Sequence, residues 1–277
     1  MRRDRCSYIG VSALPLPPEW LERLPVKGWI YYCVDNFRDW PGLEGDLLRE
    51  FEAYLIRRAV VIIAVSEVLA QWIASLGRTS FLLSHGIDLR IWTNPSIRAS
   101  PLRYSISRPS VVWWGLIDER LDWDWLMYAA ESLSNVHFNL AGRIYSVPPT
   151  ISRYNNIHFL GQIPAHDLPG LAQSADVLMM PYVDSPVTRA MQPLKMLEYL
   201  ASGKPIVGRR LPALSRWQDW VLLAHDKYEF VAALRTALVR KPSAEELARR
   251  WACLRAHSWT AKAEQFLEWV RQAGLIN

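Results

Sequence analysis

The amino-acid sequence predicts an α/β protein built on parallel sheets. Short runs rich in β-branched and aromatic residues alternate with stretches whose apolar residues recur at helical spacing, and this alternation favours repeated βαβ units. The chain has 277 residues, which suggests about two domains. Apolar residues make up 51% of the sequence and charged residues 21%, so a disordered or collagen-like chain is excluded.

The first part of the chain predicts three strands and two helices. We expect strands at 29–34, 60–65 and 80–83, with a helix after each of the first two. The first helix, 44–58, carries its apolar residues at helical spacing (Leu47, Leu48, Phe51, Tyr54 and Leu55). Ser66 is expected to cap the second helix, which runs to about residue 76. Residues 89–109 contain three prolines and no strong periodicity, and they predict an interdomain linker.

The second part of the chain is more regular and predicts six strands with helices between them. The expected strands are 111–114, 136–140, 157–159, 177–180, 205–207 and 221–223. The expected helices are 123–133, 164–174, 191–202 and 228–239, followed by two closing helices at 244–256 and 260–272. This order is typical of a doubly wound sheet, in which ligands bind beyond the carboxyl ends of the strands.

Charge and cysteine content narrow the class of partner. The net charge is +5, and 26 of the 32 basic residues are arginine, which suits phosphate or carboxylate binding but can also reflect genome composition. No nucleic-acid recognition motif is present, so we expect no nucleic-acid partner. The three cysteines form no CxxC pair and the longest apolar run has seven residues. We therefore expect no metal, no disulfide and no membrane span, and a cytoplasmic location.

The densest chemical signal lies in residues 181–207, where a polar loop leads into a helix. The start of that helix offers free N–H groups and a positive dipole end, which favour an anion. Lys195 lies in the first turn, where the dipole disfavours a cation, and a bound phosphate would explain its position. Glu198 follows on the same face and could accept hydrogen bonds from two ribose hydroxyls. A solvated Lys–Glu pair at i, i+3 is the alternative from spacing alone.

The sequence of this segment, Pro193-Leu-Lys-Met-Leu-Glu-Tyr-Leu-Ala-Ser-Gly-Lys-Pro205, resembles the nucleotide-sugar motif of GT-B glycosyltransferases of the retaining family 4 group, in particular those of the teichuronic-acid type. Further segments resemble the family in the same order, including residues 32–37, 84–88, 159–162 and 257–260. The resemblance implies an α/β fold of the GT-B type, with one complete Rossmann-like donor domain and a partial Rossmann-like amino-terminal domain. The implied divisions are 1–106, 107–256, and a closing helix at 257–277 that packs back on the amino-terminal part.

The resemblance also implies roles for particular residues. Glu198 would bind the donor ribose, and Lys195 would hold the diphosphate together with backbone amides of the preceding segment (Thr188, Arg189, Ala190, Met191 and Gln192). Gly115 begins the turn after the first strand of the donor domain, and Arg120 is a candidate phosphate clamp or else a solvated loop charge. Gly142 and Arg143, with residues 162–163, would flank the nucleobase.

Three residues of the amino-terminal part are candidates for a hinge or cleft. His85 and Gly86 are expected where the two domains join, and a structural turn is favoured there over a catalytic role. Asp35 follows a predicted strand and either faces the cleft or caps the loop at Asn36.

The function implied is transfer of a hexosyl group from a nucleoside diphosphate sugar, with retention and without a metal or cofactor, to a saccharide or lipid-linked acceptor. Two departures weigh against catalysis: Ala190 stands where the family usually has a second glutamate, and the opening strands of the amino-terminal domain have no counterpart. The alternatives are a non-catalytic nucleotide-sugar-binding or partner subunit and, less favoured, a sugar-nucleotide epimerase. We also expect a homo-oligomer or partner chain that covers the shortened domain, and the basic charge suggests peripheral contact with an anionic membrane surface on the inner face.

Overall fold

The computed structural model describes residues 8–93 and 106–277, which form two compact units. The first unit contains the chain up to His85 together with Ser185–Gln192 and Trp259–Asn277. The second contains Gly86–Asp184 and Pro193–Ser258. The units therefore divide at His85 and again on either side of residues 185–192, whereas the sequence suggested divisions at 106 and 256.

The strands and helices follow one another in βαβ order. The strands are β1 (Tyr8–Ser12), β2 (Val26–Cys33), β3 (Val61–Ala64), β4 (Phe81–Leu82), β5 (Ser110–Trp114), β6 (His137–Ala141), β7 (Ile157–Gly161), β8 (Val177–Met180), β9 (Ile206–Arg209) and β10 (Val221–Ala224). The helices are α1 (Pro18–Arg23), α2 (Gly45–Arg58), α3 (Glu67–Ser75), α4 (Leu89–Thr93), α5 (Trp123–Ser132), α6 (Leu168–Ser174), α7 (Pro186–Ala190), α8 (Leu194–Ser202), α9 (Pro212–Ser215), α10 (Lys227–Val239), α11 (Ala244–Arg255) and α12 (Trp259–Gln272). Short 3-10 turns lie at Phe37–Asp39, Pro149–Arg153 and Ala165–Asp167.

The first unit has a parallel four-stranded sheet in the order β1-β2-β3-β4. The expected strands at 29–34, 60–65 and 80–83 are confirmed with small shifts in their bounds, and the Ser66 side chain caps α3 by accepting a bond from the Leu69 amide. The sequence analysis missed β1 and α1. β1 is only five residues long and is interrupted by Gly10, so its Tyr8, Ile9 and Val11 form no long apolar run, and its pairing with β2 completes the strand.

The buried face of α2 differs from the expected one. Its buried residues are Glu52, Leu55 and Ile56, whereas Leu47 is 46% exposed. The helix predicted at 44–58 is confirmed, and of its apolar residues Leu55 is buried and Leu48, Phe51 and Tyr54 are half-buried, but a carboxylate that spacing could not single out takes a core position. Tyr31 and Arg38 both bond to Glu52, so the burial of its charge is compensated.

The second unit has the expected doubly wound sheet of six strands, all parallel, in the order β10-β9-β8-β5-β6-β7. The direction of winding reverses between β5 and β8, so the loops after these strands flank the switch point where ligands bind in such sheets. The core of this unit contains Trp113, Phe138, Met179 and Phe230, all fully buried.

Two expected segments differ from the structure in part. The segment predicted as a linker from residue 89 begins with the short helix α4, and Trp92 in it is 2% exposed; residues 94–105 of that segment lie outside the described part of the chain. The helix predicted at 191–202 begins only at Leu194, with Pro193 at its N-cap, and a separate short helix, α7, precedes it. Apolar spacing could not separate these two helices. Met191 continues the apolar spacing of α8, although residues 191–193 are not helical.

The carboxyl-terminal helix α12 belongs to the first unit. Val270 and Leu275 share an apolar cluster with Ile30 and Ile63, and the Lys27 ammonium group donates to the Gly274 carbonyl over 2.7 Å. No helix in the described part of the chain is long and apolar enough to cross a membrane.

Candidate functional site

Three loops of the second unit meet at the carboxyl ends of β5, β6 and β7. The Gly115 amide donates to Ala141 over 2.9 Å, and the Gly142 amide donates to Gly161 over 2.7 Å. The Ile117 amide, in turn, donates to the Arg143 carbonyl over 2.9 Å. These bonds continue the strand ladder into the loops, so the loops are held at a fixed distance from one another.

Gly115 and Gly142 let these loops approach closely. Their φ angles are +142° and +151°, a range that side chains with a Cβ rarely adopt. A Cβ on Gly142 would collide with the Gly115 carbonyl, and a Cβ on Gly115 would collide with the Lys195 ammonium group. Both glycines are therefore required by backbone geometry, and Gly142 is required by contact with backbone as well.

A cavity of about 280 Å³ opens between these loops. Its volume is just below the range for small-molecule sites, which is about 300–1,000 Å³. The structure thus brings the predicted Gly115, Gly142 and Arg143 together at one cavity. The residues that line it are Trp114, Gly115, Leu116, Ala141, Gly142, Arg143, Gln162, Ile163, Ala165 and Leu168.

Glu198 lies in the middle of α8 and is held by the end of the neighbouring strand. The Trp114 indole Nε1 donates to Glu198 Oε2 over 2.8 Å. Burial raises the pKa of the Glu198 carboxyl, while the Trp114 hydrogen bond and the nearby Lys195 charge lower it. Trp114, which holds this carboxylate, also lines the cavity.

Lys195 lies in the first turn of α8, half-buried against aromatic rings. Its ammonium nitrogen is 4.0 Å from the centre of the Trp113 ring and 5.2 Å from that of Tyr182. Burial, aided by the positive charge of Arg120, lowers the pKa of Lys195 to about 7. Within the described residues its ammonium group forms no hydrogen bond or ion pair, so this cation is available to an anionic ligand.

Arg120 is paired within its own loop. Its guanidinium forms a two-pronged ion pair with Asp118, with Nη2 2.7 Å from Oδ2 and Nε 3.1 Å from both carboxylate oxygens. Asp118 is 3% exposed, so the pair is largely withdrawn from water. The solvated loop charge weighed from the sequence is therefore wrong, and a phosphate would have to compete with Asp118 for this guanidinium.

The segment with the predicted diphosphate-binding amides belongs to the first unit and forms α7. Ser185 and Thr188 cap this helix reciprocally, side chain to backbone. The amides of Thr188, Arg189 and Met191 already donate within the segment, to Ser185 Oγ, Ser185 O and Val187 O. Ala190 is fully buried, and its carbonyl accepts a 2.6 Å bond from Ser66. These three amides are thus engaged in local structure, which weighs against their predicted role; Gln192 follows, half-buried.

The hinge and cleft candidates, Asp35, His85 and Gly86, all precede β5 in the sequence. The Asp35 carboxylate accepts a 2.8 Å bond from the Asn36 amide, which is the loop-capping role weighed from the sequence. His85 ends the first unit and Gly86 begins the second. Burial lowers the pKa of His85, which favours a neutral ring.

Sequence reasoning missed Trp114 as a residue of the site. Trp114 is the last residue of β5, and that position at a strand end was the signal that could have drawn attention to it. It also missed a pair that lies outside the residues lining the cavity: Asp122 caps α5 through the Trp125 amide and pairs with the Arg209 guanidinium, which lies 3.8 Å above the Trp125 ring. In the described part of the chain, no cluster of three or more His, Cys, Asp or Glu side chains could hold a metal ion.

The two α/β units, with a doubly wound sheet and a cavity at the carboxyl ends of its strands, define the GT-B class of fold. Residues 108–240 match the family model described as glycosyl transferases group 1, and this part of the chain is a domain of that family. Over 123 residues the chain is 30% identical to TuaH of Bacillus subtilis strain 168, described as a teichuronic acid biosynthesis glycosyltransferase. The match covers 43% of this chain and 31% of that protein.

Solved structures share the fold over most of this chain. The sucrose-phosphate synthase of Thermosynechococcus elongatus aligns with a TM-score of 0.70 at 18% identity, over 92% of this chain and 69% of its own. HepE of Anabaena in complex with UDP-glucose aligns with a TM-score of 0.68 at 15% identity, over 88% of this chain and 72% of its own. An Escherichia coli structure bound to UDP-2-fluoro glucose aligns with a TM-score of 0.68 at 15% identity, over 96% of this chain and 72% of its own. The resemblance expected from the sequence is confirmed at the level of domain family and fold.

Proposed function

We propose that this chain is a glycosyltransferase that takes a hexosyl group from a nucleoside diphosphate sugar and transfers it, with retention, to a saccharide or lipid-linked acceptor. The observation that carries the proposal is the arrangement at α8. One helix presents a half-buried cation, Lys195, and a carboxylate, Glu198, which contact Gly115 and Trp114 in the wall of a cavity at the carboxyl ends of β5, β6 and β7. The group 1 family match over residues 108–240 and the teichuronic acid relative support the same activity.

Each part of the donor has a matching group. The cavity walled by Gly142, Arg143 and Gln162 suits a nucleobase, and UDP is the donor nucleotide that we propose, because the fold is shared with proteins solved with UDP or UDP-glucose. The Glu198 carboxylate suits the two ribose hydroxyls, since an ionised carboxylate accepts several hydrogen bonds. Lys195 suits the diphosphate.

The chemical difficulty of the reaction is the negative charge that develops on the leaving diphosphate. A fixed donor aimed at such a charge in a water-poor site typically contributes about 3–4 kcal/mol to transition-state stability. We propose that Lys195 supplies this charge, as expected of a metal-independent enzyme. Its ammonium group is held against Trp113 and Tyr182, so little reorganisation is needed when the charge forms.

The substitution at position 190 bears on the catalytic step. Ala190 is buried in the core of the first unit, where the family usually has a second glutamate. No carboxylate at this position can approach the transferred sugar, so we propose that the leaving-group side of the site carries most of the catalysis. Contact with an anionic membrane surface, and an oligomeric or partner chain, remain predictions from the sequence.

The test is calorimetric titration of the full chain with UDP, followed by the Glu198→Ala variant. We expect the variant to bind UDP at least tenfold more weakly, because hydrogen bonds to a charged group contribute about 1.5–3 kcal/mol. Glu245→Ala, which removes an exposed carboxylate of α11, is the matched control and should bind as the wild type does. No binding of UDP at millimolar concentration would refute the proposal.

Turnover separates the enzyme from its alternative. Release of UDP from a panel of UDP-hexoses, with and without saccharide acceptors, should depend on Lys195. Tight UDP binding with no turnover of any donor would instead favour a non-catalytic nucleotide-sugar-binding subunit, which the comparisons do not support.

A further inference from the structure

The carboxylate of Glu198 has an uneven environment. Oε2 accepts the 2.8 Å bond from the Trp114 indole, whereas Oε1 accepts no side-chain hydrogen bond within the described residues. Three or so lone-pair positions of the carboxylate are therefore left for a ligand. The direction in which they point is set by the one bond that Oε2 makes.

Trp114 is itself firmly held. It is the last residue of β5 and is 4% exposed. Its ring meets the Tyr199 ring edge to face, with centres 4.4 Å apart, and stacks with Trp92 at 6.3 Å. The Tyr199 hydroxyl donates to the Met179 carbonyl in β8, so the neighbour is anchored as well. The indole N–H thus has a fixed direction, and a donor that cannot rotate fixes the carboxylate it binds.

We propose that Trp114 is a positioning residue, which orients the Glu198 carboxylate towards the two ribose hydroxyls and so makes the site selective for ribonucleotides. This inference rests on the proposed function, because it assigns Glu198 to the ribose. Trp114 acts through Glu198 and does not itself need to touch the hydroxyls.

The same hydrogen bond favours the ionised form of the carboxylate. Burial raises the pKa of Glu198, and the indole N–H opposes that rise by stabilising the anion. The other groups that face it are the Lys195 ammonium, which also lowers its pKa, and the Tyr199 phenol. Without the N–H the pKa of Glu198 rises further, so ribose binding is lost at a higher pH as the solution is acidified.

The test compares UDP with 2′,3′-dideoxy-UDP by calorimetry of the full chain. In Trp114→Phe, which keeps an aromatic ring and removes the N–H, we expect UDP to bind about tenfold more weakly and dideoxy-UDP to bind unchanged. Trp217→Phe is the matched control: it trims another buried indole whose Nε1 has no hydrogen-bond partner and whose ring contacts Trp220 rather than Trp114, so the preference for UDP should stay. The pH below which UDP binding weakens should be higher in Trp114→Phe than in the wild type, and it should be unchanged in the control.

The possible outcomes separate the two proposals. A wild-type chain that binds both ligands equally refutes the role of Glu198 and with it this inference. A Trp114→Phe chain that keeps the wild-type preference, or that weakens both ligands alike, refutes the inference alone.

A measurement on the native tryptophan covers the case in which Trp114→Phe does not fold. In a chain with ¹⁵N-labelled tryptophan, one indole N–H resonance should move in Glu198→Gln, and the same resonance should move on addition of UDP but not of dideoxy-UDP. Equal shifts with both ligands would overturn the inference.

Discussion

Lys195 in α8 should make the folded protein more stable as the pH rises above 7. Lys195 has a pKa of about 7 in the folded chain, because burial against Trp113 and Tyr182 disfavours its charge. In the unfolded chain a lysine keeps its proton to about pH 10. Above pH 7 the unfolded state therefore binds more protons than the folded state, and the free energy of unfolding rises with pH. Replacement by methionine removes this contribution.

The size of the effect follows from the two pKa values. Each pH unit between about 7 and 10 adds on the order of 1 kcal/mol to the wild-type stability relative to Lys195→Met. Between pH 7 and pH 9 the wild type should gain about 2 kcal/mol on the variant. Groups other than Lys195 titrate in both proteins, so the difference between them isolates this lysine.

Urea unfolding of both chains at pH 7, 8 and 9 measures this difference. Lys241→Met removes an exposed lysine from the turn before α11 and should follow the wild type at every pH. Parallel pH profiles for the wild type and Lys195→Met would refute the reasoning, as would a wild type that loses stability relative to the variant as the pH rises.

Two further predictions concern the backbone of the site and the core of the first unit. Gly142→Ala should destabilise the chain by at least about 2 kcal/mol in thermal unfolding, because a Cβ there meets the Gly115 carbonyl and a φ of +151° is strained. Gly77→Ala, with a positive φ but open space, should cost only about 1 kcal/mol, and equal losses would contradict the steric argument. Glu52→Ala should cost about 3–5 kcal/mol in urea unfolding, since it leaves Tyr31, Arg38 and Trp72 without their acceptor. Glu50→Ala, on the exposed side of α2, should be near neutral, and a Glu52→Ala loss as small as that would show that the network contributes little.

Local sequence was a good guide to the second unit. All six of its strands were predicted close to their observed bounds. The fully buried strands β5 and β8 are continuous apolar runs, as is typical of central parallel strands. Sequence was a poorer guide where tertiary contacts decide local structure. β1 forms through its pairing with β2, and α2 buries Glu52 because partners from other elements satisfy the carboxylate.

The site shows the same division between local and long-range information. Lys195 and Glu198 could be chosen from sequence, since their spacing on one helix and the strand–loop–helix order around them are local properties. The sequence also determined the α/β class and the resemblance to a glycosyltransferase domain. It could not show that Arg120 is paired with Asp118 or that the Thr188 amide is engaged in a helix cap.

Only the tertiary structure decided the state of the two chosen side chains. Lys195 loses much of its affinity for a proton because Trp113 and Tyr182, from two different strand ends, exclude water around it. Glu198 has a defined orientation because β5 lies beside β8 in the sheet, which brings Trp114 to α8 across 84 residues of sequence. Burial and direction are properties of neighbours in space, and residue spacing along the chain carries no record of them.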